Sequence, residues 1–283
     1  MGGPVLVGLD GTGNSVPAVR WGAEEAAVRN LPLHLLHSWV SPPWPAASDG
    51  EGTDRRRYGS DVLDRAEAMA EQLHPGIPVK AEQVAQEAAD ALAERSGEST
   101  LLVLGSRGHD SIAGFLMGSV SLRVLGRAEC PVVTVREEES SVGPGPEIVV
   151  GVQEAGIEGD TVLAYAFTTA AAHHTELRAV RAWRSATVLG DDTAPPLDDV
   201  ERVTDERELL SARLAPWRKE FPDVRVIEQV AHGRPVPVLL SACSRAGLLV
   251  IGRRARRTPM PLGPAVLAVL HHSRCPVAVV PRE

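Results

Sequence analysis

The second half of this chain repeats the first half. Five pairs of segments match in the same order: 4–11 with 147–154, 33–40 with 176–183, 82–85 with 228–231, 101–108 with 248–255, and 130–135 with 275–280. One of these pairs, EQVA, is identical in both halves, and the separations stay between 143 and 147 residues. Solenoid units are roughly 20–50 residues long, so each copy is predicted to be a whole domain.

The two predicted domains are joined by a short linker. We assign residues 1–138 to the first domain and residues 146–283 to the second. The segment at their junction, EEESSVGPGP (137–146), is rich in Glu, Ser, Gly and Pro. That composition is typical of a linker that contributes nothing to a packed core.

Within the first copy, short apolar runs alternate with helical patterns. Strands are predicted at VLVGLD, LHLLHSW, KAEQVA, LLVLGS and PVVTVR, helices at 15–29, 61–73, 88–96 and from Ser119, and a long loop over 41–58. Strand–helix alternation predicts an α/β fold, in which right-handed crossovers build a parallel sheet with helices on both faces. We therefore expect two tandem flavodoxin-like domains, each doubly wound around five parallel strands and packed on a pseudo-two-fold axis. Ligands of such sheets bind beyond the carboxyl ends of the strands, where the strand order reverses.

Composition and charge exclude several classes of protein. Hydrophobic residues make up 43% of the chain and charged residues 23%, as in a globular protein, and the net charge of −8 disfavours nucleic acid as a partner. The basic run Arg253–Arg257 is read as a solvated loop. No apolar run approaches the roughly 18 residues of a membrane span, and the N-terminus lacks the pattern of a signal peptide. The expected location is therefore the cytoplasm, without a membrane partner.

The segment after the fourth predicted strand has the pattern of an anion-binding loop. Gly105 ends the strand, Gly108 follows three residues later, and Gly118-Ser119 opens a helix after nine more residues. Glycines let backbone N–H groups approach a phosphate, and a helix N-terminus adds unpaired N–H groups and a positive dipole end. The spacing fits neither a P-loop nor the dinucleotide-binding G-x-G-x-x-G. The sequence therefore predicts a phosphate site of another type.

The stretch GSRGHDSIAGFLMGSVS (105–121) resembles the universal stress protein family. Gly105, Gly108, Gly118 and Ser119 fill the positions of the motif in its nucleotide-binding members, and the first strand ends in Asp10, as in that family. The resemblance covers nearly the whole chain twice, so the chain looks like a tandem member.

The resemblance implies ATP with Mg²⁺ as the ligand of the first domain. Its implied site consists of residues after the first, second and fourth strands and in the first turn of the following helix: Gly8, Asp10, Ser38, Gly105, Ser106, Arg107, Gly108, His109, Gly118, Ser119, Val120 and Ser121. Asp10 is expected to reach the ribose or the phosphate–Mg²⁺ region, and the backbone of Ser38 the adenine edge. The alternative for Asp10 is a carboxylate that caps a turn or a helix. Glu87, near the expected pocket mouth, is predicted to weaken ATP binding.

The second copy departs from this pattern at four points. Gln153 stands where the first copy has Asp10, Ala255 where it has Gly108, and Pro264 where it has Ser119, and the loop is two residues shorter. Proline has no N–H for a phosphate, and a Cβ hinders close backbone approach. The second copy is therefore predicted not to bind ATP in the family manner, although its arginine-rich loop could attract a different anion.

The expected function is that of an ATP-binding regulator or sensor in a stress response, with one ATP site. Two alternatives stay open: an interaction module with a vestigial site, and an enzyme that hydrolyses ATP slowly or transfers a group from it. We expect no efficient catalysis and assign no catalytic residue. An unidentified protein partner is expected, and a homodimer through the last strands, 131–136 and 276–281, unless the tandem pairing covers those edges.

Overall fold

The computed structural model describes residues 2–40, 49–106, 118–136, 147–153, 160–184, 200–254 and 262–281. The chain divides into two compact units, Met1–Gly143 and Pro144–Glu283, which are called here the N-terminal and C-terminal units. Each unit contains a five-stranded parallel sheet with helices between successive strands, so the α/β class predicted from the alternating pattern is confirmed.

The N-terminal unit runs through nine described elements. In chain order these are β1 (Val5–Leu9), α1 (Ser15–Arg29), β2 (Leu33–Val40), α2 (Asp49–Leu73), β3 (Val79–Glu87), α3 (Ala88–Ser96), β4 (Leu101–Gly105), α4 (Ser119–Arg127) and β5 (Val132–Val135). The strands pair in parallel in the order β3-β2-β1-β4-β5.

The C-terminal unit repeats this plan. Its described elements are β6 (Glu147–Gly151), α5 (Asp160–Ala172), β7 (Glu176–Trp183), α6 (Val200–Glu220), β8 (Val226–His232), α7 (Pro235–Ala242), β9 (Leu248–Gly252), α8 (Pro264–His272) and β10 (Val277–Val280). Its strands lie in the order β10-β9-β6-β7-β8, which is the same order read from the other edge. The repeat extends to the backbone at the end of the first helix, where Asn30 and His174 both adopt left-handed φ, at 51° and 50°.

Burial explains why the strands are apolar throughout. The central strand β1 holds Val5, Leu6 and Val7 at 0% exposure, and Leu101 to Val103 of β4 are equally buried. Helices cover both faces of a parallel sheet, so alternation between polar and apolar residues disappears from its central strands.

The strand order determines the point in each sheet at which the winding of the chain changes direction. Chain connections lead from β1 to one edge through β2 and β3, and then return to β4 on the other side of β1. The switch point therefore lies between β1 and β4, and between β6 and β9 in the C-terminal unit. This order, 3-2-1-4-5, is that of a dinucleotide-binding fold without its sixth strand. The predicted doubly wound α/β class holds, but the flavodoxin order 2-1-3-4-5, with its switch point between the first and third strands, does not.

The prediction of a loop over 41–58 was wrong for its second half, because α2 begins at Asp49. Gly50, Gly52 and Gly59 made this stretch look unsuited to a helix. Gly59, just beyond this stretch, allows the Gln83 side chain to approach closely, because a Cβ at this position would lie 2.0 Å from its amide nitrogen. That amide donates a hydrogen bond to the Arg56 carbonyl, 2.9 Å away, and so joins α2 to β3. Tertiary contacts outweigh the low helix propensity of glycine.

Candidate functional site

The carboxyl ends of β1 and β4 form the switch point of the N-terminal unit. Gly8 pairs with Leu104 here, and a Cβ on Gly8 would lie 2.8 Å from a methyl carbon of Leu104. A Cβ on Gly105 would lie 2.0 Å from the Asn14 carbonyl oxygen. The loop before α1 therefore packs directly on the end of β4. Gly105 therefore allows this close contact, whether or not a ligand binds here.

Asp10 follows β1 and organises the loop that leads into α1. Its Oδ1 accepts hydrogen bonds from the Ser15 hydroxyl at 2.7 Å, the Thr12 hydroxyl at 2.8 Å and the Thr12 N–H at 2.9 Å. The Asp10 N–H donates in return to the Ser15 hydroxyl at 3.0 Å. Partial burial raises the pKa of Asp10, but the hydrogen bonds from Ser15 and Thr12 outweigh this and leave the pKa below its usual value. Asp10 is thus a turn-capping carboxylate that stays ionised at neutral pH and has an exposed side.

Tyr58 of α2 contacts the same loop. The Tyr58 hydroxyl donates to the Gly11 carbonyl at 2.8 Å, and Gly11 has a φ of +79°. His37, at the end of β2, donates from Nδ1 to the Leu9 carbonyl at 2.9 Å and meets the Tyr58 ring edge-on, with 6.4 Å between ring centroids. The contacts around the loop that contains Asp10 therefore come from β1, β2 and α2.

Two of the predicted serines direct their hydroxyl groups away from the switch point. The Ser106 hydroxyl is 4% exposed and donates to the Val135 carbonyl of β5 at 3.2 Å. The Ser38 hydroxyl donates to the Gln86 carbonyl of β3 at 2.6 Å, across an irregularity in the pairing of β2 with β3. The Ser106 N–H donates to the same Val135 carbonyl at 2.8 Å, so both donors of Ser106, like the Ser38 hydroxyl, are already engaged within the sheet.

The helix predicted to begin at Ser119 does begin there. Gly118 is the residue before α4, with φ −68° and ψ 154°, and the Leu122 N–H donates to its carbonyl at 3.1 Å. Ser119 is exposed, and Val120 and Ser121 are partly exposed in the first turn. The remaining predicted residues, Arg107, Gly108 and His109, lie outside the described residues.

An ion-pair cluster behind this turn was missed by the sequence reasoning. Arg123 of α4 lies 3.0 Å from a carboxylate oxygen of Glu87 and 3.5 Å from one of Asp90, and Arg127 also pairs with Asp90. Glu87 directly precedes α3 and was expected to oppose phosphate. The Arg123 guanidinium compensates that negative charge. No local signal in the sequence connects residues 87 and 123, because the contact joins the end of β3 to the separate helix α4.

The C-terminal unit presents the same backbone with different groups. Gly263 precedes α8 with φ −68° and ψ 164°, and Pro264 is the first helical residue. Gln153 follows β6 and is exposed. Ala255 lies outside the described residues. The crevice at the ends of β6 and β9 contains a cavity of about 600 Å³.

Neither a metal cluster nor a membrane span occurs in the described part of the chain. Its His, Cys, Asp and Glu side chains form no group of three that could hold a metal ion. No described helix combines the length and the hydropathy that a bilayer requires.

Comparison with known proteins identifies the family. The sequence model of the universal stress protein family matches residues 1–136 and again residues 147–281. The chain belongs to the universal stress protein family. It is 34% identical to the universal stress protein Rv2005c of Mycobacterium tuberculosis (strain ATCC 25618 / H37Rv), over 97% of this chain and 96% of that protein. It is 31% identical to the universal stress protein Rv2623 of the same strain, over 99% of this chain and 96% of that protein.

A solved structure shows the same fold over the full length. The crystal structure of a universal stress protein from Archaeoglobus fulgidus DSM 4304 covers 99% of this chain and 96% of its own, with a TM-score of 0.74 and 18% identity. The family resemblance inferred from the glycine-rich loop is thus confirmed. Two universal stress protein domains follow one another in this chain.

Proposed function

We propose that the N-terminal unit binds ATP and that the chain acts as a nucleotide-dependent regulator in a stress response. The observation that carries this proposal is an ionised carboxylate, Asp10, directly after β1, together with the helix N-terminus at Ser119, which begins the first described helix after β4. Strands β1 and β4 flank one switch point. Nucleotides bind at such points in open α/β sheets, with phosphates at helix N-termini.

Each group has a chemically distinct task in this proposal. The first turn of α4 offers backbone N–H groups to the phosphates, and the Ser119 hydroxyl adds a donor. Arg123 offsets Glu87 behind this turn and so lowers the repulsion that a polyphosphate meets. The backbone of Ser38, at the end of β2, faces the adenine edge in the family manner.

The residues fit Mg²⁺ only together with a nucleotide. Asp10 Oδ1 already accepts three hydrogen bonds, so this carboxylate offers little more than its second oxygen. Mg²⁺ commonly combines one or two carboxylates with substrate phosphates and water. We propose that the ion, when present, is held mainly by the phosphates, and that ATP turnover is slow or absent because the described residues supply no poised base.

Calorimetric titration with MgATP tests the proposal. One saturable site per chain is expected. Asp10→Asn retains an oxygen that can accept from Thr12 and Ser15 but removes the charge, so it should weaken binding about tenfold while the loop stays folded. Gln153→Ala is the matched control in the C-terminal unit and should leave the affinity unchanged.

Other outcomes separate the alternatives. A purified chain that shows no saturable binding with Mg²⁺ present would refute the sensor and favour an interaction module with a vestigial site. Multiple-turnover formation of ADP that disappears in Gly118→Ala would favour an enzyme. Equal losses of affinity in Asp10→Ala and Gln153→Ala would show that the site is assigned to the wrong unit.

A further inference from the structure

The cavity of the C-terminal unit has the size of a small-molecule site. Its volume of about 600 Å³ lies within the range of roughly 300–1,000 Å³ that is typical of ligand pockets. Its walls come from the ends of β6, β7 and β9 and from the helices α6, α7 and α8. It therefore occupies the switch point of this unit, independently of the proposed ATP site.

The floor and walls of this cavity are mainly apolar. The apolar side chains on its wall, from four strands and helices, are Val152, Val180, Trp183, Leu239, Ile251, Val266 and Val269. Leu239 of α7 fills the space above Gly151, where its Cδ2 lies 3.2 Å from the position that a Cβ would take. An apolar wall favours an apolar ligand body and penalises a polyphosphate, which would lose its water without replacement hydrogen bonds.

The charged groups of the cavity are mostly arginines. Arg181, Arg184 and Arg202 line it, against the one described acid, Glu206. Arg181 is 8% exposed and forms an ion pair with Glu206, so these two charges neutralise one another inside the wall. The Arg202 guanidinium lies over the face of Trp183, 5.9 Å from its ring centroid, and has no carboxylate partner among the described residues. The surplus charge is positive and sits beside an aromatic ring.

Two side-chain features that favour nucleotide phosphates in the other unit are replaced in the described part of this one. Pro264 removes an N–H from the first turn of α8, and Gln153 replaces the carboxylate of Asp10. A ligand with one anionic group and an apolar body satisfies both the surplus arginine charge and the apolar wall. A nucleoside triphosphate satisfies only the first.

We propose that this cavity binds a small amphipathic acid, a molecule with a compact apolar or aromatic body and a single carboxylate or sulfonate. The body lies against Leu239, Val266 and Trp183. The anionic group lies toward Arg202, where a guanidinium can form charge-assisted hydrogen bonds. The C-terminal unit is thus a second ligand site with its own chemistry.

The probe for this site is 8-anilinonaphthalene-1-sulfonate, an aromatic anion whose fluorescence rises in apolar surroundings. It should bind the intact chain at one saturable site. 1-Naphthoate should displace it at least tenfold more effectively than uncharged 1-naphthol of the same ring size. Millimolar MgATP should not displace it. Equal competition by naphthol would overturn the role of the arginines, and displacement by ATP would overturn the choice of ligand.

Two variants locate the probe. Ala265 lines the cavity but is exposed, so Ala265→Trp should fill the space without disturbing the core and reduce probe affinity at least tenfold. Arg202→Gln should reduce it about fivefold or more. Arg56→Gln is the matched control, because Arg56 lies over Trp39 of the N-terminal unit at 4.7 Å in the same arrangement.

The circular dichroism spectrum and melting temperature of each variant confirm that it is folded. Unchanged probe binding in folded Ala265→Trp would place the probe elsewhere and refute the proposal. Asp10→Asn should leave probe binding unchanged, so failure of the ATP proposal and failure of this proposal give different results.

Discussion

The two units of this chain have nearly the same backbone and opposite site chemistry. The residues before α4 and α8, Gly118 and Gly263, share a φ of −68° and have similar ψ angles, 154° and 164°. One is followed by Ser119 and the other by Pro264. The fold therefore fixes where a ligand meets the sheet, while single side chains decide which ligand is accepted.

The second strands of the two units also share a structural feature while the side chains next to it differ. Each unit places an arginine of its second helix over the tryptophan near the end of its second strand, Arg56 over Trp39 and Arg202 over Trp183. Two residues after Arg56, Tyr58 reaches down to the Gly11 carbonyl. The corresponding residue of the C-terminal unit, two after Arg202, is Thr204, whose side chain is shorter. The same arginine–tryptophan pair is therefore followed by a tyrosine that contacts the loop in one unit and by a threonine in the other.

The largest expected effect comes from Gly105→Ala. The added Cβ would lie 2.0 Å from the Asn14 carbonyl oxygen, so the start of α1 must move, at an expected cost of about 3 kcal/mol in unfolding free energy. Chemical denaturation followed by circular dichroism measures the loss. Gly13→Ala is the control, since its Cβ would have no atom within 4 Å. A wild-type stability for Gly105→Ala would mean that this glycine serves only the ligand.

Exchange of the first helical residue tests directly whether this position causes the proposed difference between the two units. Ser119→Pro gives α4 the first residue of α8, a position where proline is tolerated. Because it removes one N–H and one hydroxyl from the phosphate site, ATP affinity measured by calorimetry should fall about tenfold or more. Ser119→Ala, which keeps the N–H, should lose less. A proline variant that binds ATP normally would show that the helix N-terminus does not hold the phosphates.

The ion pair between Arg123 and Glu87 is expected to have a smaller effect on ATP affinity. Arg123→Gln leaves the carboxylate of Glu87 uncompensated, so ATP affinity should fall about threefold to fivefold. The double variant with Glu87→Gln should recover most of the loss. The C-terminal unit has Gly233 in place of Glu87, so it lacks this requirement. A double variant as weak as Arg123→Gln would mean that the arginine acts on the nucleotide directly.

The smallest effect concerns the identical tetrapeptide EQVA. Hydrogen bonds from Arg95 lower the pKa of Glu82 to about 2, whereas the corresponding Glu228 pairs with Arg218 of another helix. A carboxylate with a pKa lowered by folding stabilises the fold above its unfolded-state pKa, near 4.5, and this stabilisation disappears as the pH falls toward about 2. Glu82→Gln should therefore cost about 0.5 kcal/mol at neutral pH after allowance for partial solvent screening, and less at acid pH. Urea denaturation at pH 7 and pH 3 measures the difference; an equal cost at both values would contradict the pKa.

The sequence predicted the features that depend on local pattern. The alternating elements, the helix start at Ser119 and the equivalence of Ser119 with Pro264 were all readable from the internal repeat. The features that the sequence did not predict share one cause, because each of them depends on contacts between segments that are distant in the chain. The helical stretch from Asp49 is stabilised by packing around Gly59. The Ser106 hydroxyl donates a hydrogen bond to β5, and Glu87 forms an ion pair with Arg123. The cavity of the C-terminal unit depends on the packing of three helices and has no motif of its own.

The tryptophan at the end of each second strand has a practical consequence. Trp39 and Trp183 lie beside different sites, and each has a guanidinium over its ring. Indole emission responds to nearby charge and to loss of water, so on the two proposals above each unit has an optical reporter of ligand binding. The chain has five tryptophans, so a single reporter requires phenylalanine at the other four positions. The order in which the two halves fill could then be followed in real time in the intact chain.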